Sequence, residues 1–320
     1  MTYTSTTGRP GTALVIGEAL IDVVIHPGEE PQEIPGGSPA NVALGLSRLG
    51  REAELTCWIA ADARGAAVRT HLEASGVRLA PGSDGAARTS TAQATIGADR
   101  AATYVFDLDW NPPFPQTSDG AAPVLVHTGS IAAILQPGAD TVRRALEAHR
   151  ETATVCYDPN ARPQLMGEPA SARATVESLI ALSDLVKCSD EDVAWFYGVD
   201  ASSDGALETV LRGWLDLGAA LVVVTRGKRG ALALAASGVR LEVPADPSVV
   251  VADTVGAGDS FMGGLEDGLW CEDLVGAERR EALRSIDAAT LERVVRHAAA
   301  IADITVSRAG ANPPTRAELA

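Results

Sequence analysis

The 320-residue sequence predicts an α/β fold: a doubly wound, mostly parallel central sheet flanked by helices, with a small separate β-sheet as a lid. Three observations predict it. Short, continuously apolar runs recur along the chain, as in strands buried on both faces of a parallel sheet. Segments with helical spacing lie between them, and such alternation is the pattern of doubly wound sheets. A group of β-rich runs, about residues 21–35 and 88–110, interrupts the alternation and sets a second sheet apart.

Residues 1–11 are polar and Thr-rich and read as an N-terminal tail, frayed from a single domain spanning 12–320. Residues 13–16 form the first buried strand, and residues 23–26 a second short one before the Pro27-Gly28 turn. In residues 36–50, Ser38 is suited to an N-cap, Pro39 to the first helical position and Gly50 to the position past the end. Val42, Leu46 and Leu49 then share one helical face. Residues 55–60 are strand-like and 66–75 helical. Residues 89–96 and 101–106 read as two strands joined by a turn at Gly97-Ala98-Asp99-Arg100. Further buried strands are expected at 124–127, 153–157, 185–187 and 220–225. Helices are expected at 139–150, 169–182, one long irregular stretch over 190–217, and 290–306, and a β-like pair at 231–235 and 239–243.

Composition bounds the function. Hydrophobic residues make up 46 % and charged residues 21 %, a globular rather than disordered mixture. No apolar run approaches the ~18 residues of a spanning helix, and the first twelve residues lack the apolar stretch of a secretion signal. Basic residues number 26 and acidic residues 42, for a net charge of −16. Such an excess repels nucleic acid and anionic membrane, and it requires that any anionic substrate be met by local cations. Cys57, Cys156, Cys188 and Cys271 are widely spaced with no metal-type pattern, as expected of reduced thiols in a cytoplasmic protein.

The chemistry concentrates in residues 249–264, where a β-branched run passes through Asp253 and Thr254 into Gly256-Ala257-Gly258-Asp259 and then a helix. Residues with almost no side chain let a ligand approach backbone N–H groups closely, and a helix N-terminus attracts phosphate. A carboxylate in that first turn, Asp259, is either a helix-start residue favoured by the dipole or a base taking the proton of an attacking hydroxyl. Phosphoryl transfer needs both parts, donors for the moving charge and a base for the nucleophile.

The string Asp-Thr-x-Gly-Ala-Gly-Asp at Asp253–Asp259 resembles the second signature of the PfkB (ribokinase-like) sugar kinases. Gly36-Gly37-x-x-x-Asn41-x-Ala43 resembles the first. The resemblance runs over roughly residues 12–315 and implies a ribokinase-like fold and ATP-dependent phosphorylation of a primary hydroxyl on a small sugar, fructose or a related ketose. It gives Asp259 the role of base and Gly256, Ala257 and Gly258 that of anion loop. It also makes Asp22, Gly36, Gly37 and Asn41 sugar-binding residues; Asp22 lies beyond the first strand, where open α/β sheets hold ligands.

Tyr104 and Phe106 share one face of a lid strand, where they either cover the sugar or pack the small sheet or a dimer contact. Asp158-x-Asn160-x-Arg162 resembles an element of fructokinase-like and 2-keto-3-deoxygluconate-kinase-like members. Arg162 suits a substrate carboxylate or a γ-phosphate, or else a structural ion pair. Lys187 follows a strand, and Ser189-x-x-Asp192 aligns with the family's Asn-x-x-Glu, with both residues replaced. This implies nucleotide contacts at Lys187 and Ser189, and Mg²⁺ held through water at Asp192, or simply a helix start. Thr225-Arg226-Gly227-x-x-Gly230 resembles the nucleotide-edge loop, and residues 298–301 with Ala299, and 308–311, the segments flanking adenine. A monovalent cation such as K⁺ near Asp253, and a homodimer through the lid, are further implications. Nucleosides and 2-keto-3-deoxygluconate are rival substrates, and a catalytically silent sugar- or nucleotide-binding regulator is the non-enzymatic reading.

Overall fold

A computed structural model describes residues 2–5, 7–97 and 102–319. In chain order the first half comprises β1 (Thr12–Ile16), β2 (Leu20–Ile25), β3 (Gln32–Gly36), α1 (Ser38–Arg48), β4 (Glu52–Thr56), α2 (Ala63–Glu73), β5 (Arg78–Leu79), β6 (Thr91–Ile96) and β7 (Ala102–Asp107). There follow β8 (Leu125–Gly129), α3 (Gly138–His149), β9 (Thr154–Asp158), α4 (Pro163–Met166), α5 (Pro169–Ile180), β10 (Leu185–Ser189), α6 (Asp190–Tyr197) and α7 (Asp204–Leu217). The chain ends with β11 (Leu221–Thr225), β12 (Ala231–Ala235), β13 (Arg240–Val243), α8 (Ala257–Cys271), α9 (Arg280–Arg284) and α10 (Ala288–Val306).

Nine strands form the central sheet in the order β13-β12-β11-β10-β9-β8-β1-β4-β5. The pairs from β11 through β10, β9, β8, β1 and β4 to β5 are parallel, and at the other edge β12 pairs antiparallel with both β11 and β13. The apolar runs are buried because helices cover both faces. One core packs Val15, Leu55 and Leu185 against α1, α2, α8 and α10, and the other packs Ile16, Tyr157 and Val222 against α3, α5, α6 and α7. The chain leaves β1 toward β4 on one side and later returns to β8 on the other. This reversal is the topological switch point, where such sheets open a crevice beyond the strand ends.

The separate sheet has the order β3-β2-β6-β7, as the β-rich runs predicted. Its arms β6 and β7 pair antiparallel from Thr91↔Asp107 to Ile96↔Ala102. Of the expected turn, Ala98, Asp99 and Arg100 lie outside the described residues.

Local chemistry accounts for the departures. The long helix expected over 190–217 is two helices, because Gly198 ends the first in a left-handed conformation and Ser203 caps the second. The strand expected at 55–60 is β4, displaced toward the N-terminus. Asp62 then caps α2 by accepting from Gly65 N.

The N-terminal segment, expected as a frayed tail, is tied to the body. Tyr3 N bonds His297 Nδ1, Arg51 donates to Thr7 O, and Trp270 Nε1 donates to Arg9 O. These anchors converge on α8, which is buried from Asp259 to Trp270. A helix buried all round needs internal partners for its polar groups. Asp267 finds Arg51, Arg316 and His297. Close crossing of α8 and α10 needs Gly264, where a Cβ would sit 2.7 Å from Ala298 Cα.

Candidate active site

A cleft of about 900 Å³ opens at the switch point, between the C-terminal ends of the strands and the inner face of the small sheet. The alternation of strand residues places Asp22, Val24, Ile34, Ala92, Ala94, Tyr104 and Phe106 on that face. Asp22 pairs in register with both Ile34 and Ala92, and Ala92 with Phe106, so these side chains form one row across the roof. Tyr104 and Phe106 lie nearly parallel, 6.2 Å between centroids. Gly36 lines the cleft because any Cβ there would come within 2.1 Å of the Asp22 carboxylate.

The floor is the start of α8. Gly256 takes φ 73 with its Cα hydrogens against Ala311, a conformation closed to residues with a Cβ. Ala257 begins the helix, and Asp259 lies in its first turn. Asp259 is 7 % exposed and faces the cleft. Ser38 Oγ donates to its Oδ1 at 2.7 Å and Asn41 Nδ2 to its Oδ2 at 2.7 Å. The expectation that Ser38 caps α1 is therefore corrected. Gly37 takes the cap position without a side-chain bond, and the Ser38 hydroxyl is directed to Asp259 instead. Asn41 lines the cleft with its amide nitrogen committed to the same carboxylate.

Five charged side chains line this space: Glu18, Asp22, Arg162, Asp253 and Asp259. Burial pushes the Asp22 carboxyl up to about 6, with Arg162 opposing and Asp259 adding to the rise. Glu18, just past β1, is pushed up to about 7 by burial, against the pull of Ser130 and Arg162. It accepts from Ala132 N at 3.3 Å and lines the cleft. The sequence reading passed over Glu18, although its place directly after the first buried strand was a usable signal. Ser130, at positive φ, was missed too; Asn160, also at positive φ, was named only as part of the Asp158-x-Asn160-x-Arg162 element. Arg162 lines the cleft, with Nη1 bonded to Asn160 Oδ1 at 2.6 Å and to the carbonyls of Asn160 and Ala161.

Several expected nucleotide and metal residues have other partners. Lys187 is buried beneath the glycine turn, ion-paired with Asp158 at 2.7 Å and donating to Gly258 O at 3.2 Å, and it does not line the cleft. Ser189 and Asp192 are a capping box for α6. Each side chain accepts from the other's backbone N–H, and Ala161 N bonds the remaining Asp192 oxygen. This is the helix-start arrangement that the sequence left open beside a water-held metal. The carboxylate is consumed by backbone donors, and among the described residues no group of three or more His, Cys, Asp or Glu could hold a metal.

Arg226, expected at phosphate, is buried between Asp204 and Glu242 instead. Thr225, Gly227 and Gly230 shape the tight β11–β12 connection, closed by Arg226 N to Gly230 O, and do not line this cleft. Ala299 is half-buried against the core on α10. Asp253 lines the cleft, but its oxygens accept from Val255 N and Gly310 N, stapling two loops together.

Comparison with known proteins agrees with this geometry. The sequence pattern of the "pfkB family carbohydrate kinase" matches residues 12–318. A fructokinase of Klebsiella pneumoniae is 34% identical, with 81% of this chain and 84% of that protein covered. Probable fructokinase-4 of Arabidopsis thaliana is 32% identical, with 98% and 96% covered. Among solved structures, a fructokinase double mutant of Vibrio cholerae O395, in fructose-, ADP- and potassium-bound form, superposes with a TM-score of 0.73 at 25% identity over 95% of both chains. A pattern spanning nearly the whole chain, with fructokinase relatives covered over most of their length, leaves one conclusion: the chain belongs to the pfkB family and is a sugar kinase.

Proposed function

We propose that the chain transfers the γ-phosphoryl group of ATP to a primary hydroxyl of fructose or a related neutral ketose. The observation that carries the reading is Asp259. It is the carboxylate in the first turn behind the glycine turn, facing Asp22 across the cleft. In this mechanism Asp22, with Asn41, accepts sugar hydroxyls and fixes the acceptor. Asp259 takes the proton of the attacking hydroxyl as it reacts. The N–H groups of Gly256, Ala257 and Gly258 receive the charge of the phosphoryl group in flight.

Named relatives support the choice of sugar, since fructokinases of Klebsiella pneumoniae and Rhizobium leguminosarum are 34% and 32% identical. The charge of the cleft does too. Glu18, Asp22, Asp253 and Asp259 oppose Arg162, the one basic side chain lining it among the described residues, a poor environment for the carboxylate of 2-keto-3-deoxygluconate.

The described residues offer no ready-made cage for a divalent cation. Mg²⁺ therefore belongs to the reading as a companion of the nucleotide phosphates, the usual way this ion is held. K⁺ would lie at the Asp253–Val255 turn; the Vibrio cholerae protein was solved with potassium. Exposed Val105, on the face of the small sheet turned away from the cleft, supports a lid-mediated homodimer. No helix among the described residues is long and apolar enough to cross a membrane.

The test is Asp259→Asn in a coupled ADP-release assay against a panel of neutral sugars, acid sugars and nucleosides. Turnover on fructose should fall on the order of 10²–10⁴-fold. Wild-type turnover in the variant would defeat the mechanism, and preference for an acid sugar or a nucleoside would defeat the substrate.

A further inference from the structure

We propose that Ser38 and Asn160 are positioning residues for Asp259: a hydrogen-bond relay of fixed direction, anchored on Arg162, aims and holds the carboxylate. The proposal rests on the reading of Asp259 as the base and adds the means by which it is aligned.

The direction follows from which groups can donate. A guanidinium has no acceptor, so Arg162 Nη1, 2.6 Å from the Asn160 side chain, must face its oxygen. The amide nitrogen of Asn160 therefore points the other way, to Ser38 Oγ at 2.7 Å. Having accepted that bond, the hydroxyl gives its own proton to Asp259 Oδ1, also at 2.7 Å. Each step leaves the next no alternative, and the chain ends at one oxygen of the reacting carboxylate. Asn41 holds the other oxygen directly.

The backbone shows the same bias. Asn160 takes φ 39, a left-handed conformation that most residues avoid and Asn tolerates. Arg162 Nη1 also clamps the Asn160 and Ala161 carbonyls, so the turn after β9 is held from within. Ser38, at the start of α1, is only 6 % exposed, and its hydroxyl meets both Asn160 and Asp259. A buried carboxylate otherwise has several rotamers open to it. Two donors, one on each oxygen, leave a single orientation, and catalysis is sensitive to misalignment of this kind.

The experiment compares Asn160→Gly, Asn160→Asp, Ser38→Ala and Ser38→Thr with Asp259→Asn in the intact chain. It reads kcat, sugar KM, the pH profile of kcat and the melting temperature. Gly suits the left-handed backbone, so Asn160→Gly removes the amide without straining the turn. Ser38→Ala should lower kcat roughly 10- to 100-fold, the effect of one lost bond to a charged group, and Asn160→Gly, which leaves the Ser38 hydroxyl free to turn away from Asp259, should approach that loss. Sugar KM should change little. Loss of a donor to the carboxylate should move the acidic limb of kcat itself, read in the sugar-bound complex, to higher pH. Asp22, Asp158, Lys187 and His127, the other charges felt around Asp259, are unchanged in every variant and cannot produce that movement.

Combining Asn160→Gly with Ser38→Ala should cost little more than either change alone, because one chain is cut twice. Asn160→Asp should be worse than Asn160→Gly, since a carboxylate would draw the Ser38 proton away from Asp259. Ser38→Thr should retain most activity. Wild-type kcat and an unmoved acidic limb in the Gly and Ala variants, with Asp259→Asn inactive, would overturn the relay and leave the base assignment standing. An active Asp259→Asn would overturn both. Additive losses would show that the two residues act separately and would also refute the relay.

Discussion

Glu18 offers a test of the site's electrostatics that does not depend on turnover. Its carboxyl, buried beside the cleft, titrates near 7 in the folded chain instead of near 4.5. A group whose folded value is raised binds its proton more tightly in the native state. Between pH 4.5 and 7 the folded chain therefore carries more protons than the unfolded one, and stability falls as pH rises through that window. The rise corresponds to about 3 kcal/mol, absent below pH 4.5 and fully imposed above pH 7.

Glu18→Gln keeps an acceptor for Ala132 N and removes the ionisation. At pH 5 the variant and the parent should melt within a degree or two of each other. At pH 8 the variant should be more stable by up to about 3 kcal/mol, which is roughly 4 °C for a chain of this length. Differential scanning calorimetry at several pH values reads the effect directly. Asp22 titrates with the same sign and cancels in the comparison. If the two melting curves stay parallel from pH 5 to 8, the buried charge has been misread. The same variant should bind sugar less well, because a carboxylate facing the cleft accepts hydroxyl protons more strongly than an amide does.

Other outcomes follow from individual contacts. Asp22 titrates near 6, so kcat/KM for the sugar should decline as pH falls through that value, and Asp22→Asn should lower kcat/KM and remove this inflection from its pH profile. Lys187→Met leaves Asp158 buried without its partner and should destabilise the fold by about 3–5 kcal/mol, much of which the double variant with Asp158→Asn restores; chemical denaturation measures both. Gly36→Ala places a methyl against the Asp22 carboxylate and should raise sugar KM several-fold with little change in melting temperature. Activity in K⁺ should exceed that in a large organic cation if the Asp253–Val255 turn holds a monovalent ion, and equal rates would exclude it.

What could be read from the sequence was whatever local chemistry specifies. Apolar runs gave the strands of the central sheet, and β-branched alternation gave the lid. Gly36-Gly37 and Gly256-Ala257-Gly258 announced two helix starts that meet at the cleft. What escaped was decided by partners distant in the chain. Ser38 looks like a cap, and only the fold brings it to Asp259, 221 residues later. Ser189 and Asp192 looked like altered metal ligands, whereas a Ser and an acid three residues on at the start of a helix also fit a capping box. Arg226 lies in a basic cluster, but Asp204 and Glu242 reach it from other elements. Glu18 follows the first buried strand as Asp22 does and was open to the same reading, but the local sequence says nothing of its burial. Its meaning comes from burial beside Arg162 and Asp22.

The two acids assigned to the acceptor belong to different bodies: Asp22 to the four-stranded sheet, Asp259 to a helix packed under the nine-stranded one. Under the proposed reaction, a guest engages both only if it is long enough to touch roof and floor together. A water molecule at the floor would find the base without the means of being aimed. Wasteful hydrolysis of nucleotide is thereby discouraged by the guest's own dimensions, and an idle enzyme keeps its fuel.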